Sequence, residues 1–558
     1  MKNIDLLSAA NRSALLGNLK SDTFDLLVIG GGITGAGIAL DAASRGMKVA
    51  LVEKLDFASG TSSKSTKLIH GGLRYLKQFE IALVREVGSE RAVVHTLAPH
   101  LVTSEKMLLP LIKNGTYGSI LTSFGLMVYD VLAGVESADQ RVMLDKKQTM
   151  KAEPLLDASR VEGGGLYAEY RTDDARLTIE VIKTSSFYGA NCANYVQAEN
   201  FIYEGEGESK KIIGAVCRDE LMEESFEIKS KFVVSAAGPW VDELRGINKS
   251  KEGKRLHLTK GVHVVVPHEK LPVKQAVYFD VPDGRMIFAI PRQKVTYIGT
   301  TDTDYTGDKD KVLANEGDVR YLLNGANQMF PEIDLQLEDV VSTWAGLRPL
   351  IHEDGKSASE LSRKDEIFVS PTNLISIAGG KLTGYRKMAE RIVDLVDKQY
   401  RKQFGGDKRK SRTAKIPLAN GGLSNSKDVK TYRKQLYERL QNTDLKKREI
   451  KYLVSNYGRQ TDIIITKFLG IDGDSASEMM LKAELWYCIN HEAVFTAMDF
   501  FNRRTGRLYF QIETIEPNLE IVLKEMSSFF DWSETKLSEE RESMELAISE
   551  TSKIFRNN

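Results

Sequence analysis

The run Phe24 to Glu53, FDLLVIGGGITGAGIALDAASRGMKVALVE, limits what this chain can fold into more than any other stretch. Residues 25–29 read as a short apolar strand and 48–52 as a second. Between them Ile38, Ala39, Ala42 and Ala43 fall on one helical face. Gly30, Gly32 and Gly35 stand in the spacing G-x-G-x-x-G at the strand-to-helix turn. Gly30 permits the tight turn, Gly32 lets backbone approach a pyrophosphate, and Gly35 lets helix and strand pack closely. The helix start adds free N–H groups and the positive end of its dipole. Glu53 ends the second strand about 20 residues on, where a carboxylate accepts ribose hydroxyls and repels a 2′-phosphate. A glycine-rich turn in an ordinary α/β domain would account for three glycines. It would not account for strand, turn, helix, strand and acid in that order. The stretch predicts a dinucleotide site that does not take NADP.

The rest of the chain narrows the class. At 558 residues it holds two or three domains. Lys plus Arg and Asp plus Glu both number 77, so the basic excess that nucleic-acid binding calls for is missing. Cys192, Cys217 and Cys488 show neither metal spacing nor an even framework, and fit buried free thiols in a reducing compartment. The start, MKNIDLLSAANRSALLGNLKSD, lacks the apolar core of a signal peptide and reads as an amphipathic lead-in helix. Residues 118–135, GSILTSFGLMVYDVLAGV, are interrupted by Asp130 and several small polar residues. They fall short of the ~20 apolar residues of a membrane span. They read as a buried helix or, in the sharper alternative, as a surface that touches a bilayer.

Further along, residues 55–76, LDFASGTSSKSTKLIHGGLRYL, are small, hydroxylated and basic, which suits backbone wrapped round a phosphate-bearing ligand. Ser62, Ser63, Ser65 and Thr66 can donate to phosphate or ring atoms, and Gly71 and Gly72 permit close approach. His70 is either a flavin neighbour or a hydrogen-bonded core histidine. Asp173 and Asp174 make a tempting carboxylate pair, yet they precede a helix and read as ordinary capping. A strand at 231–235 ends in Ala236-Ala237-Gly238-Pro239-Trp240, small residues that let a second segment press on a cofactor. A third fragment, 373–396, repeats strand, Gly379-Gly380 turn and helix, with Met388, Ala389, Ile392, Val393 and Val396 on one stripe. Lys381 stands beside that helix start, which suits the negative charge that builds on a reduced flavin. So late a return of the nucleotide fold marks an interrupted, FAD-type domain rather than a contiguous NAD type.

Alternating apolar residues in 256–350 predict a second sheet with one buried face. Within it His263 sits at a strand edge, where a lone histidine is more simply structural. Arg348 sits beside Pro349 at a predicted turn that aims it at a cleft. After Phe404 a basic, glycine-bearing stretch reads as a linker. The chain from 426 on reads as a separate all-α domain whose charge runs are solvated helix faces.

Several motifs together carry a resemblance over nearly the whole chain: VIGGGITGAGIALDAASRG, TSSKSTKLIHGGLRYL, DDARLT, AAGPWVD, KGVHVVVP, IGTTDTDY, AGLRPL and GGKLTGYRKMAE. The chain resembles the FAD-dependent glycerol-3-phosphate dehydrogenases and their near relatives, the glycerophosphate oxidases. The resemblance implies an α/β FAD-binding domain, Rossmann-like and of the glutathione-reductase/D-amino-acid-oxidase type. A mixed-sheet substrate domain and an all-α C-terminal domain accompany it. The expected divisions are 1–99, 191–250 and 351–404 for FAD, and 100–190 and 251–350 for substrate. A linker at 405–425 and the helical domain at 426–558 follow. The implied chemistry is oxidation of sn-glycerol 3-phosphate to dihydroxyacetone phosphate by hydride transfer to flavin N5, with a membrane quinone taking the electrons on. Arg74, Tyr75, Arg348, Arg363, Lys381 and Thr383 match positions the family uses around its substrate. His263, Arg348 and Lys381 are the candidate catalytic groups. The candidate cofactor contacts are Gly30, Gly32, Ile33, Thr34, Gly35, Glu53, Lys54, Thr61, Ser62, Ser63, Lys67, Leu68, His70 and Gly71 from the first part. Gly238 and Trp240 come from the second, and Gly380, Lys381, Leu382 and Thr383 from the third. The resemblance implies a cytoplasmic protein, leaves room for peripheral contact with the inner face of the cell membrane and for a homodimer, and expects no nucleic acid and no metal.

The residues agree in kind. A small dianion needs fixed cations, arginine binds phosphate bidentately, and Arg74, Arg348 and Lys381 come from separate segments. His263 is the candidate general base because an imidazole titrates near working pH. Two other readings stay open. One is an amino-acid- or amine-oxidising flavoenzyme of the same superfamily, for which one arginine and an aromatic wall suffice. The other is a flavin-bearing scaffolding protein with a helical partner module. Within the glycerol-3-phosphate reading, oxygen replaces quinone if the chain is an oxidase, though no added block in the middle of the chain marks that branch.

Overall fold

The computed structural model describes residues 7–69, 81–113, 141–352, 365–418 and 421–553. Among these, two sheets and a helical C-terminal region make up the chain.

The first sheet has eight strands. Its spine is parallel: Thr23–Ile29 lies between Val49–Val52 and Glu224–Ser235, and Leu374–Gly379 pairs beyond the last. Asn191–Ala193 closes one side next to Val49–Val52, and Asp365–Val369 the other, antiparallel to Leu374–Gly379. A parallel strand covered on both faces must be apolar along its length. Leu26, Leu27 and Val28 obey this, with no exposed surface. The helices Ile33–Ser44, Asp174–Phe187 and Tyr385–Phe404 supply one covering layer. The opposite layer holds Leu15, Leu16 and Leu19 of the lead-in helix Arg12–Ser21, packed with Phe201 and Ile212 of an antiparallel excursion, Val196–Glu204 and Lys211–Asp219. Three segments far apart in the chain thus build one nucleotide-type sheet, as an interrupted FAD domain requires.

The second sheet has ten strands in mixed pairing. Leu256–Pro267 is its hub, paired antiparallel with Val295–Gly299 on one side and with Ser342–Ile351 on the other. Thr103–Ile112 runs parallel to Ala276–Asp280 and carries the sheet on to Val161–Arg171. Arg348 does not stand at a turn. The strand Ser342–Ile351 runs straight through Pro349, whose Cα pairs with Leu258. A proline fits there because, among the described residues, the strand has a ladder partner on one side only.

The chain after 425 is helical, as its periodicity predicts, and it is packed against the second sheet through a shared core. One apolar core joins Met107, Tyr167, Val265, Tyr297 and Trp344 of the second sheet to Tyr457, Phe501, Tyr509 and Phe510 of the C-terminal helices. Ser342 Oγ donates to Tyr509 O at 2.6 Å and Thr343 Oγ1 to Thr551 O at 3.0 Å. Buried charge crosses the same boundary. Asp56, just beyond the second strand of the nucleotide fold, takes Arg504 at 2.7 Å and 2.9 Å together with Arg503. Both arginines lie on the π-helical segment Asp499–Arg504. Arg176 grips Glu492 bidentately at 2.6 Å and 2.9 Å. The stretch read as a linker is also held. Arg409 donates to Asp397 at 2.8 Å, and Leu418 N to Leu97 O at 2.9 Å. Among the described residues no helix is long and apolar enough to cross a membrane. Residues 118–135, the candidate bilayer surface, lie outside the described residues.

Candidate functional site

A cavity of about 900 Å³ opens between the two sheets, lined by residues from both. Its back is the glycine turn. Gly30 adopts φ +115°, and a Cβ there would lie 2.6 Å from Ala236 O. A Cβ on Gly35 would lie 1.8 Å from Gly30 O, so this glycine is obligatory for packing and does not itself line the cavity. The helix Ile33–Ser44 starts at Gly32 with no side-chain cap, and Gly32, Ile33 and Thr34 face the cavity. The amide of Ile33 donates to Ser62 Oγ at 2.9 Å. The amides of this turn that Ser62 does not take leave the helix start able to hold an anion from the cavity.

Glu53 sits at the end of the strand Val49–Val52 and lines the same space. Burial pushes its pKa up, against the N–H donors of Gly31 at 2.7 Å and Leu55 at 3.1 Å that fix its carboxylate. The Lys54 ammonium lies 4.4 Å from the Trp240 ring centre, and both line the cavity.

The segment from 59 to 68 bridges the two sheets. Thr61 Oγ1 donates to Leu347 O at 2.7 Å, and Trp344 Nε1 to Ser65 O at 3.1 Å. Thr61, Ser62 and Leu68 line the cavity; Ser63 and Lys67 do not. Lys67 is instead buried in an ion pair with Asp174 and donates to Ser63 O at 2.7 Å. It shapes the loop from inside. Asp174 also accepts from Ser65 N at 2.9 Å. Asp173 caps the helix Asp174–Phe187 through Arg176 N at 3.2 Å. The carboxylate pair therefore does structural work, with Asp174 doubling as the counter-ion of Lys67.

Two more segments complete the cradle. The strand Glu224–Ser235 delivers Gly238 and Trp240 to the cavity, and Leu374–Gly379 delivers Gly380, Lys381, Leu382 and Thr383. Gly379 and Gly380 take φ +75° and +80°, so the chain turns sharply there. A 3-10 turn, Leu382–Gly384, intervenes before the helix Tyr385–Phe404.

The opposite wall is the second sheet, where His263 and Arg348 sit on neighbouring strands. Arg348 donates to Thr301 O and Asp302 Oδ1, both at 3.1 Å, and to Thr300 Oγ1 at 2.8 Å. Its guanidinium lies over Gly261, where a Cβ would come within 2.2 Å of it. His263 is 1 % exposed and stacks on Trp344 at 4.6 Å with planes 10° apart. Its Nε2 lies 2.9 Å from Thr66 Oγ1. Burial, then the positive charges of Arg348 and Lys67, hold its pKa well below 6.5. The expectation that it titrates near working pH therefore fails. The neutral ring is the favoured form, because burial and both neighbouring cations oppose its positive charge.

The residues fit FAD on this structure's own terms. The cavity lining holds a helix start and a fixed acid from the nucleotide fold, and glycines stand where any side chain would collide. Arg74, Tyr75, His70, Gly71 and Arg363 lie outside the described residues. Sequence reasoning missed Lys64, Tyr278, Arg285, Thr300 and Asp302, which also line the cavity. Burial, then the charge of Arg503, brings the Lys64 pKa down to about 8. Lys64 falls within the TSSKSTKLIHGGLRYL motif, and Thr300 and Asp302 within IGTTDTDY; Tyr278 and Arg285 follow from strand pairing that no local pattern announces. Among the described residues no cluster of His, Cys, Asp and Glu would hold a metal.

A family model described as FAD dependent oxidoreductase matches residues 25–385, and one described as the C-terminal domain of alpha-glycerophosphate oxidase matches 411–537. The aerobic glycerol-3-phosphate dehydrogenase of Bacillus subtilis is 47% identical over 540 residues, 96% of this chain and 97% of that protein. Its counterpart from Staphylococcus haemolyticus is 46% identical over 549 residues, 98% of each. A crystal structure of the glycerol-3-phosphate dehydrogenase from Bacillus halodurans complexed with FAD superposes with TM-score 0.83 at 41% identity, covering 98% of both chains. L-alpha-glycerophosphate oxidase from Mycoplasma pneumoniae with FAD bound, at 19% identity and TM-score 0.55, covers 70% of this chain and 97% of its own and shares the fold.

Proposed function

The chain belongs to the FAD-dependent oxidoreductases, among the glycerol-3-phosphate dehydrogenases, and from that premise we propose that it oxidises sn-glycerol 3-phosphate to dihydroxyacetone phosphate. The observation that carries this reading is the meeting, in one cavity, of the nucleotide cradle with Arg348, Lys381 and His263. Bound FAD supplies a two-electron acceptor that takes the C2 hydrogen with its electron pair.

The protein's own residues do the rest. Gly30, Gly32, Ile33 and Thr34 hold the pyrophosphate at the helix start, and Glu53 holds the ribose. Ser62, Trp240 and the 380–383 turn border the ring system. Lys381, beside Leu382 and Thr383, holds the substrate phosphate. Arg348, already paired with Asp302, serves better as a fixed donor to the C2 oxygen than as a free phosphate clamp. His263, neutral and buried, takes the hydroxyl proton. Arg74, Tyr75 and Arg363 join the phosphate site on the strength of the resemblance alone.

Anaerobic addition of sn-glycerol 3-phosphate to the yellow holoenzyme tests the reading. Bleaching of the flavin band supports it. Bleaching by amino acids alone replaces it with an amine oxidation, and no bleaching by either ends it. The electron acceptor is a membrane quinone, in keeping with the dehydrogenase names of the relatives. Oxygen is the competing acceptor, because the C-terminal model carries a glycerophosphate oxidase description. Quinone reduction measured against hydrogen peroxide yield separates the two.

A further inference from the structure

We propose that Lys64 tunes the bound flavin: its ammonium answers the negative charge the ring gains on reduction, and so raises the potential of the FAD couple. This rests on FAD in the cavity and not on which alcohol is oxidised.

Buried cations are paired as a rule. Three that line the cavity follow it. Lys54 meets Asp310 at 2.5 Å, Arg285 Nε meets Asp283 at 2.7 Å, and Arg348 meets Asp302 at 3.1 Å. Lys64 lines the same cavity, but its side chain has no carboxylate partner and no hydrogen bond among the described residues. The residue is half-buried, and its ammonium keeps accessible surface. Burial, then the charge of Arg503, opposes its protonation, and only Asp310 favours it, which holds the pKa at about 8. A cation in that setting is short of an anion, and a ligand in the cavity can supply one.

The place of Lys64 along its loop says which part of the ligand it meets. Ser62 stands at the helix start, where its Oγ accepts from Ile33 N at 2.9 Å. That end belongs to the diphosphate. Thr66 stands at the other end, with its Oγ1 2.9 Å from His263 Nε2. Lys64 comes between the two. Its carbonyl oxygen and Cβ press on Gly346, where an added Cβ would lie 2.7 Å and 2.8 Å from them. Gly346 is on the strand Ser342–Ile351, two residues before Arg348. Lys64 therefore stands past the diphosphate end, against the sheet that carries His263 and Arg348, along the stretch the ring system spans.

The charge balance separates a tuning cation from a holding one. C2–H breaks and its electron pair forms N5–H. The ring thus receives two electrons with one proton, and its charge falls by one. A nearby cation stabilises that reduced form and leaves the neutral oxidised ring almost untouched, so the potential rises. The diphosphate carries the same charge in both states. A cation serving it would hold FAD without moving the potential.

Anaerobic reductive titration of the holoenzyme against a reference dye reads the midpoint potential. In Lys64→Met the reduced form is expected to lose roughly tenfold in stability relative to the oxidised form, a drop of ~30 mV for a two-electron couple, in protein with FAD bound. Lys64→Arg keeps the wild-type potential. If Lys64→Met does not hold FAD, Lys64→Gln is read the same way, since it too removes the charge. A neutral variant with FAD bound and the wild-type potential overturns the proposal. So does loss of FAD from both neutral variants, which makes Lys64 a residue that holds the cofactor rather than one that tunes it. The titration needs no substrate. A wild-type flavin that glycerol 3-phosphate fails to bleach therefore ends the functional reading and leaves this test standing.

Discussion

At the residue scale, the site is defined as much by missing side chains as by present ones. Gly35 is held to glycine by a backbone oxygen 1.8 Å from where its Cβ would sit. Gly35→Ala forces the helix off the strand at a cost of about 1–3 kcal/mol. The expected result is purified protein that has lost most of its flavin, read from visible absorbance per chain. Gly261 does for Arg348 what Gly35 does for the turn. Arg348→Lys keeps a positive charge but loses the three-point hold of Thr300, Thr301 and Asp302. We expect kcat/KM to fall by about 10²-fold, on the scale of a lost preorganised donor, with normal FAD content. The histidines set a pH dependence of stability. Burial, then Arg176 and Lys183, brings the His100 pKa down to about 3. A base whose folded pKa lies below its unfolded 6.5 is protonated first in the unfolded chain. Stability is therefore complete above 6.5 and is lost as pH falls from there toward 3, at about 1.4 kcal/mol per unit. Denaturation midpoints of wild type and His100→Gln, compared at pH 7.5 and 5.5, should converge toward the lower pH.

At the element scale, one loop and one irregular helix do most of the positioning. The segment from Glu53 to Leu68 reaches from the nucleotide sheet to the second sheet and carries cavity residues on the way. Its composition announced a ligand-wrapping loop. It did not announce that Lys67 would point away from the ligand into an ion pair with Asp174. The π-helical segment Asp499–Arg504 grips the same loop from the other side. Burial opposes ionisation of Asp56, but Arg504 and Arg503 hold its pKa down at about 2. Asp56→Asn leaves two buried guanidiniums short of a counter-ion, which costs about 3–5 kcal/mol. Calorimetry should show a large drop in Tm, and the flavin should dissociate more readily because the loop that holds it is released. A merely peripheral contact would change neither.

At the scale of the whole molecule, the C-terminal helices belong to the catalytic body. They finish the core behind Trp344, the residue on which His263 stacks. Deleting residues 426–558 would strip apolar partners from one face of the second sheet. The expected product is insoluble or flavin-free protein rather than a smaller active enzyme, tested by expressing the truncated chain and assaying its bound FAD. If that fragment is yellow, soluble and active, the shared core is dispensable.

Much of this was legible in the chain itself. The glycine spacing, the acid at Glu53 and the two later strand-turn-helix fragments specify an interrupted nucleotide fold, because each is a local pattern with a local physical cause. The same holds for the helical periodicity after 425. Whether Arg348 stands in a strand or a turn depends on its pairing with Leu256–Pro267. Whether His263 is charged depends on what buries it. Whether Lys67 meets ligand or Asp174, and whether the C-terminal helices stand apart or share a core, depend on residues a hundred or more positions away. Periodicity and spacing act over a few residues; burial, ion pairing and ladder register are set by whichever distant segment arrives alongside.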